Sequence, residues 1–216
     1  MKRINEIFYS LQGEGHNVGR AAVFVRFSGC NRRCPFCDTE HESYCELTDE
    51  EIARRMCAHP SRFAVLTGGE PLLQADETFI DLLHRHGFTV AVETNGTLPL
   101  PANIDWSTVS PKPPTVVRRC DELKVVFQQE DKELPIDQSL NPDGIEASHY
   151  YLQPCDTGNA ERNKRIMEAA VGYIKAHPEW RLSLQTHKLI GIKGGVRGEM
   201  VRCERKEISN RLTPTP

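Results

Sequence analysis

Cys30, Cys34 and Cys37 place three thiols within eight residues, in the spacing C-x3-C-x2-C. Three thiolates so close in sequence can grip three corners of an iron–sulfur cubane and leave the fourth iron open to an outside ligand; thiolate is the ligand such clusters use. Two other chemistries start from the same residues. A structural zinc ion takes four ligands, commonly from two separated pairs, so the triad would need His41 or Cys45 as its fourth. A thioredoxin-like C-x-x-C needs one pair and leaves the third thiol unexplained. The other cysteines, Cys45, Cys57, Cys120, Cys155 and Cys203, are dispersed; free cysteines of that kind are usually small buried hydrophobes.

Four further clusters combine polar groups with permissive backbone. Thr67-Gly68-Gly69-Glu70-Pro71 offers two glycines for close backbone approach and a carboxylate able to accept from an ammonium, although Gly-Gly-Glu-Pro alone is as often a turn. Ser110-Pro111-Lys112 supplies a hydroxyl, a fixed backbone and a cation, or is a plain Pro-rich turn. Glu93-Thr94-Asn95-Gly96 and Gln153-Pro154-Cys155-Asp156 are polar in the same manner. Near the N-terminus, Leu11-Gln12-Gly13-Glu14 has the amide, the glycine and the carboxylate that could hydrogen-bond a planar, amide-bearing heterocycle. Arg26 could pair with a carboxylate and is otherwise a surface ion pair. His187, in Gln185-Thr186-His187-Lys188, is otherwise a structural histidine. Glu122 and Lys124 in E-L-K-V-V read as the frame of a strand.

The elements that must position these groups alternate. Strands are expected at Ala21–Phe27, Phe63–Thr67, Phe88–Val92, Trp106–Val109, Leu123–Phe127, Tyr150–Leu152 and Arg181–Leu184, from their apolar, β-branched and aromatic content. Helices are expected from Thr48, with Glu51 completing a capping box; over Asp76–His86, with Ile80, Leu82 and Leu83 buried and Gly87 past its end; and over Asn159–Ala176, where Ile166, Ala170 and Ile174 recur at four-residue spacing. Alternation of strand and helix predicts an α/β class with parallel strands, and in such folds functional residues stand at the carboxyl ends of the strands. Each cluster above falls at such an end.

With 216 residues, 38% hydrophobic and 26% charged, the chain suits one globular core. A net charge of -3 argues against a nucleic-acid partner. No apolar run reaches the ~18 residues of a membrane helix, and the N-terminus lacks the apolar core of a signal peptide, so a cytoplasmic protein without membrane contact is expected. Eight cysteines in a reducing compartment speak for metal or redox chemistry rather than bridges.

The C-x3-C-x2-C run resembles the signature of the radical S-adenosylmethionine superfamily, in which the amino acid part of S-adenosylmethionine chelates the open iron of a 4Fe–4S cluster and one electron breaks its sulfur–carbon bond. Within that superfamily, F-Y-S-L-Q-G-E-G, C-D-T after the cluster, T-G-G-E-P, E-T-N-G-T-L-P, V-S-P-K, E-L-K-V-V and Q-T-H-K resemble the 7-carboxy-7-deazaguanine synthase family, from about Asn5 to about Ile192. A glycyl-radical-activating enzyme shares the triad but has no use for the N-terminal heterocycle-binding segment.

What the resemblance implies is an incomplete (β/α) barrel with a radical S-adenosylmethionine core over residues 1–193, residues 194–216 being an extension that departs from the family's length, with at most one short helix. Cys30, Cys34 and Cys37 would hold the cluster. Phe36, Asp38, Gly69, Glu70, Asn95, Ser110, Pro111, Lys112, Gln153, Pro154, Cys155 and Asp156 match cofactor-contacting positions, with Phe36 near the adenine; Leu11, Gln12, Gly13, Glu14, Arg26, Thr67 and His187 match substrate-contacting ones. Thr39 matches a ligand to Mg2+, an ion that completes its shell from water and substrate oxygens. The implied substrate is 6-carboxy-5,6,7,8-tetrahydropterin, the implied assembly a homodimer, and the implied reductant a flavodoxin or ferredoxin.

Overall fold

The computed structural model describes residues 1–37, 39, 42–130, 140–141, 143–192 and the backbone of 206–207. In chain order the elements are β1 (Lys2–Leu11), β2 (Ala21–Phe27), β3 (Ser43–Leu47), α1 (Asp49–Cys57), β4 (Phe63–Gly68), a 3-10 turn (Pro71–Leu73), α2 (Glu77–Arg85), β5 (Thr89–Thr94), β6 (Trp106–Val109), β7 (Arg119–Phe127), β8 (Glu146–Pro154), α3 (Ala160–Ala176), β9 (Trp180–Leu182), α4 (Thr186–Leu189) and β10 (Lys206–Glu207). The strands form one open sheet, β10-β3-β1-β2-β4-β5-β6-β7-β8-β9. From β2 to β9 every pairing is parallel, while β1, β3 and β10 extend one edge in antiparallel fashion. The α/β class and the incomplete barrel of mostly parallel strands are therefore what the chain forms.

Side-chain alternation sets the two faces of the sheet. Val23, Val25 and Phe27 of β2, Ala64 and Leu66 of β4, and Val90 and Val92 of β5 join α1 and α2 in one buried cluster with Ile52, Met56, Phe79, Ile80 and Leu83. Leu123, Val125 and Phe127 of β7 pack with Ile166, Ala170 and Tyr173 of α3 in a second. The opposite, inward face carries Phe8, Ala22, Phe24, Phe63, Val65 and Ala91. Continuing that inward register toward the strand ends gives Arg26, Thr67, Glu93 and, on β7, Glu122 and Lys124; Arg26 is paired with Thr67 in the ladder. Both faces are covered, so these strands read as continuous apolar runs rather than alternating ones.

The helix ends behave as their residues dictate. Thr48 accepts from the Glu51 N–H (3.2 Å) while Glu51 accepts from the Thr48 N–H (2.8 Å), and Asp76 and Asn159 cap α2 and α3. Gly87 adopts φ +80°, the left-handed conformation that ends a helix readily only with glycine.

Several expectations change. Ala21–Phe27, expected as the first strand, is the second, because Lys2–Leu11 forms β1 ahead of it. A register shift between Ile4 and Glu6 breaks the period-2 pattern that would have announced β1. Strand β3 was not expected; Leu47 closes it, directly before the helix cap at Thr48. On α2 the buried side is Phe79, Ile80 and Leu83, with Leu82 only partly packed; at 3.6 residues per turn Leu83 falls between Phe79 and Ile80 around the helix, and Leu82 falls outside that arc. The strand expected at Arg181–Leu184 runs over Trp180–Leu182, and Gln185-Thr186-His187-Lys188 enters the short helix α4 instead of ending a strand. Of residues 194–216 only Lys206 and Glu207 are described, as a short strand on the β3 edge; Cys203 lies outside the described residues. Cys45, Cys120 and Cys155 are buried and Cys57 half-buried, none in a disulfide.

Candidate active site

The carboxyl ends of the strands surround a cavity of about 780 Å³. Cys30, Cys34 and Cys37 line it from the loop after β2, Cys30 and Cys34 half-buried and Cys37 exposed. That loop is held against the end of β4 by backbone bonds from Gly69 N–H to Phe27 O (3.0 Å) and from Glu70 N–H to Gly29 O (2.9 Å). The contact requires glycine: a Cβ on Gly69 would lie 2.0 Å from Gly29 O and 3.1 Å from the Cys30 Cβ, and one on Gly68, at φ +121°, 2.3 Å from Phe27 O. Asn31 ties the same loop to the end of β5, its amide donating to Thr97 and accepting from the Asn95 amide, each at 2.8 Å.

Glu70 is fully buried. Its carboxylate accepts from the Leu72 N–H (3.0 Å), the Thr94 hydroxyl (2.8 Å) and the Asn95 N–H (2.8 Å), so it clamps the β4 end to the β5 end from behind the cavity wall. Burial pushes its pKa up against those donors. Ser110 N–H donates to Thr94 O (2.8 Å). The Lys112 ammonium donates to the carbonyl and hydroxyl of Ser110 (3.0 Å each) and stands 5.4 Å from the Phe36 ring centre. Burial lowers its pKa, and the three cysteines oppose that shift.

The opposite wall is built on the segment after β1, which crosses the inside of the curved sheet. The Gln12 amide donates to Glu93 (2.9 Å), whose other oxygen accepts from the Thr67 hydroxyl (3.2 Å). Glu14 accepts from Lys124 (2.6 Å) and from the Gln185 amide (2.9 Å). Thr186 donates to Gly13 O through both its N–H and its hydroxyl (2.9 Å each), and the His187 ring lies against Gly13, where a Cβ would come 2.1 Å from Nδ1. Arg26 pairs across the ladder with Glu6 (2.7 Å) beside the stacked rings of Phe8 and Phe24.

Among the residues singled out in the sequence, Leu11, Gln12, Gly13, Glu14, Arg26, Thr67, His187, Phe36, Thr39, Gly69, Asn95, Ser110, Lys112, Gln153, Pro154, Cys155 and Asp156 line the cavity with the three cysteines. Glu70 and Pro111 stand outside its lining, and Asp38 lies outside the described residues. Lys124 and Glu93 line it too, although the sequence reading made Lys124 the frame of a strand. The available signal was the pair Glu122 and Lys124 at i, i+2 within an apolar strand, which puts both charges on one face.

The residues fit a four-iron cluster. Cys45 sits on β3, outside the cavity lining, His41 lies outside the described residues, and among the described residues no three His, Cys, Asp or Glu side chains come close enough to hold a single metal ion. A cubane takes its thiolates on separate irons. Burial, together with Glu70 and the neighbouring thiols, pushes the Cys30 pKa up, so metal ligation is what would make the thiolate.

The Radical SAM superfamily pattern matches residues 24–124. The chain is 49% identical to the 7-carboxy-7-deazaguanine synthase of Bacteroides thetaiotaomicron, over 89% of this chain and 100% of that one, and 46% identical to that of Bordetella pertussis, over 88% and 98%. A crystal structure of QueE from Escherichia coli superposes with a TM-score of 0.67 at 29% identity, over 86% of this chain and 94% of that one. On these likenesses the chain belongs to the 7-carboxy-7-deazaguanine synthase family of the radical SAM superfamily.

Proposed function

We propose that the chain makes 7-carboxy-7-deazaguanine by radical ring contraction of 6-carboxy-5,6,7,8-tetrahydropterin with loss of ammonia, a carbon–nitrogen lyase reaction of queuosine and 7-deazapurine biosynthesis. The observation that carries the reading is that one cavity is lined both by the cysteine triad and by Gln12, Glu14, Arg26, Thr67 and His187. Cys30, Cys34 and Cys37 would hold the 4Fe–4S cluster, which, with S-adenosylmethionine bound, supplies the electron that releases a hydrogen-abstracting radical. Phe36, Asp38, Asn95, Ser110, Lys112 and the strand end Gln153–Asp156 would hold S-adenosylmethionine; Gly69 gives it backbone access, and Glu70 and Pro111 shape that wall from behind.

The substrate side follows from donor and acceptor chemistry. The Gln12 amide and the Glu14 carboxylate, with the backbone of Leu11 and Gly13, address the amide-like edge of a flat pterin. Arg26 offers a planar, permanently charged fork to the substrate carboxylate, exchanging its Glu6 partner for it. The Thr67 hydroxyl and His187 close the sides, and the Phe8–Phe24 stack keeps water from one wall. Thr39 would be the protein ligand to a Mg2+ that also meets the substrate carboxylate. In the same reading the enzyme is a cytoplasmic homodimer reduced by a flavodoxin or ferredoxin. Reconstituted protein given the carboxytetrahydropterin, S-adenosylmethionine, Mg2+ and a reductant should release a deazapurine identified by mass; cleavage of S-adenosylmethionine without that product would refute the substrate assignment.

A further inference from the structure

Lys124 is a buried charge of the cavity wall that the proposed reaction has not used. Strand β7 carries its side chain inward, where 5% of the residue is exposed. Its ammonium lies 2.6 Å from Glu14 and 3.7 Å from Glu93, and the cavity wall includes all three. The other charged and titratable groups around it are Glu122, two residues back on β7, Lys112 after β6, and His187 on α4, which acts on Glu14. Glu122 is served separately, by the His16 N–H at 3.0 Å. Each of the two nearer carboxylates also has a neutral donor, Gln185 for Glu14 and Gln12 for Glu93. Those amides can keep the carboxylates in place without Lys124, but they cannot balance their charge.

We propose that Lys124 is a positioning residue that keeps the Glu14 carboxylate charged beside Glu93, so that both face a substrate rich in N–H donors. The idea rests on reading the cavity as a pterin site. Burial is the largest influence on Glu14 and would raise its pKa; the Lys124 ammonium reverses this and holds the carboxyl well below the usual range. Lys124 in turn stays charged despite burial because Glu14, Glu93 and Glu122 face it. Without the ammonium, Glu14 takes up a proton as pH falls, and an acceptor becomes a donor.

The test compares cluster-loaded wild type, K124M and K124R by equilibrium binding of the carboxytetrahydropterin, without turnover, over about pH 6 to 8. Wild-type affinity at each pH is the reference. Relative to it, K124M should bind about tenfold more weakly at the acid end and recover as pH rises, a raised acceptor pKa costing a factor of ten per unit; K124R should follow the wild-type profile. Loss of affinity equal at every pH, or no loss, overturns the proposal. A 13C titration of the glutamate carboxyls reads the same charge without any substrate, and a Glu14 resonance that does not move to higher pKa in K124M also overturns it. Where wild type binds no pterin, the functional reading fails, and the carboxyl titration still decides the role of Lys124. Should K124M not fold, K124Q, which keeps a donor and loses the charge, replaces it in both measurements.

Discussion

Cys30, Cys34 and Cys37 are free of disulfides and open to one cavity. Cys30→Ala, Cys34→Ala and Cys37→Ala should each abolish S-adenosylmethionine cleavage and the brown absorbance of the reconstituted protein, since two thiolates cannot hold the cluster. Full cleavage by any one of them would remove that residue from the ligand set. Thr39→Ala tests a different atom. Thr39 lines the cavity, so the variant should keep its cluster absorbance while turnover responds more weakly to added Mg2+; an unaltered Mg2+ response would clear Thr39 from the metal site.

The element that matters most is the join between the β4 end and the loop after β2. Gly69 touches Gly29 backbone so closely that any Cβ must push the cysteine loop away. Gly69→Ala should therefore destabilise the fold by about 1–3 kcal/mol, the usual range for overpacking, and lower the iron content after reconstitution although no ligand is changed. Normal melting temperature and normal iron content together would show that the loop yields. Glu70→Ala acts on the same join from behind: it strands two backbone N–H groups and the Thr94 hydroxyl, each buried unsatisfied group costing about 1–3 kcal/mol. Its effect on melting should exceed that of Gly69→Ala.

For the whole molecule, the Glu14–Lys124 pair ties the first strand's loop to the seventh strand, so its charge state is a term in global stability. Glu14 is lowered in the fold, so its contribution is present above its ordinary 4.5 and is lost as pH falls through the lowered value, about 2. Lys124 is raised, so its contribution is present below its ordinary 10.5 and is lost only as pH rises through its raised value. The pair therefore contributes fully between 4.5 and 10.5. Removing one partner of a buried pair costs about 3–5 kcal/mol, or roughly 2–4 °C of melting temperature per kcal/mol for a chain of this size. The melting deficit of K124M against wild type should be largest near neutral pH and shrink toward about pH 2. A deficit constant with pH would mean that lost packing, not lost charge, causes it.

The linear spacing of Cys30, Cys34 and Cys37, the Gly-Gly-Glu-Pro after an apolar run, the capping box at Thr48 and the four-residue recurrence in α3 are local, and local rules act within a few residues. They were therefore legible in the sequence alone, and with them the α/β class and the strand ends that carry the site. The antiparallel β1 was not, because the irregularity after Ile4 hides its alternation. Neither was the role of Lys124: a lysine in an apolar strand reads as an edge or a frame until the curled sheet brings Glu14, 110 residues away in the chain, to 2.6 Å. Which groups could ligate or hydrogen-bond was written in residue type and spacing. Which charges would share one buried cavity, and so change each other's protonation, only the tertiary structure decided, because Coulomb interactions depend on distance in space and on the exclusion of water.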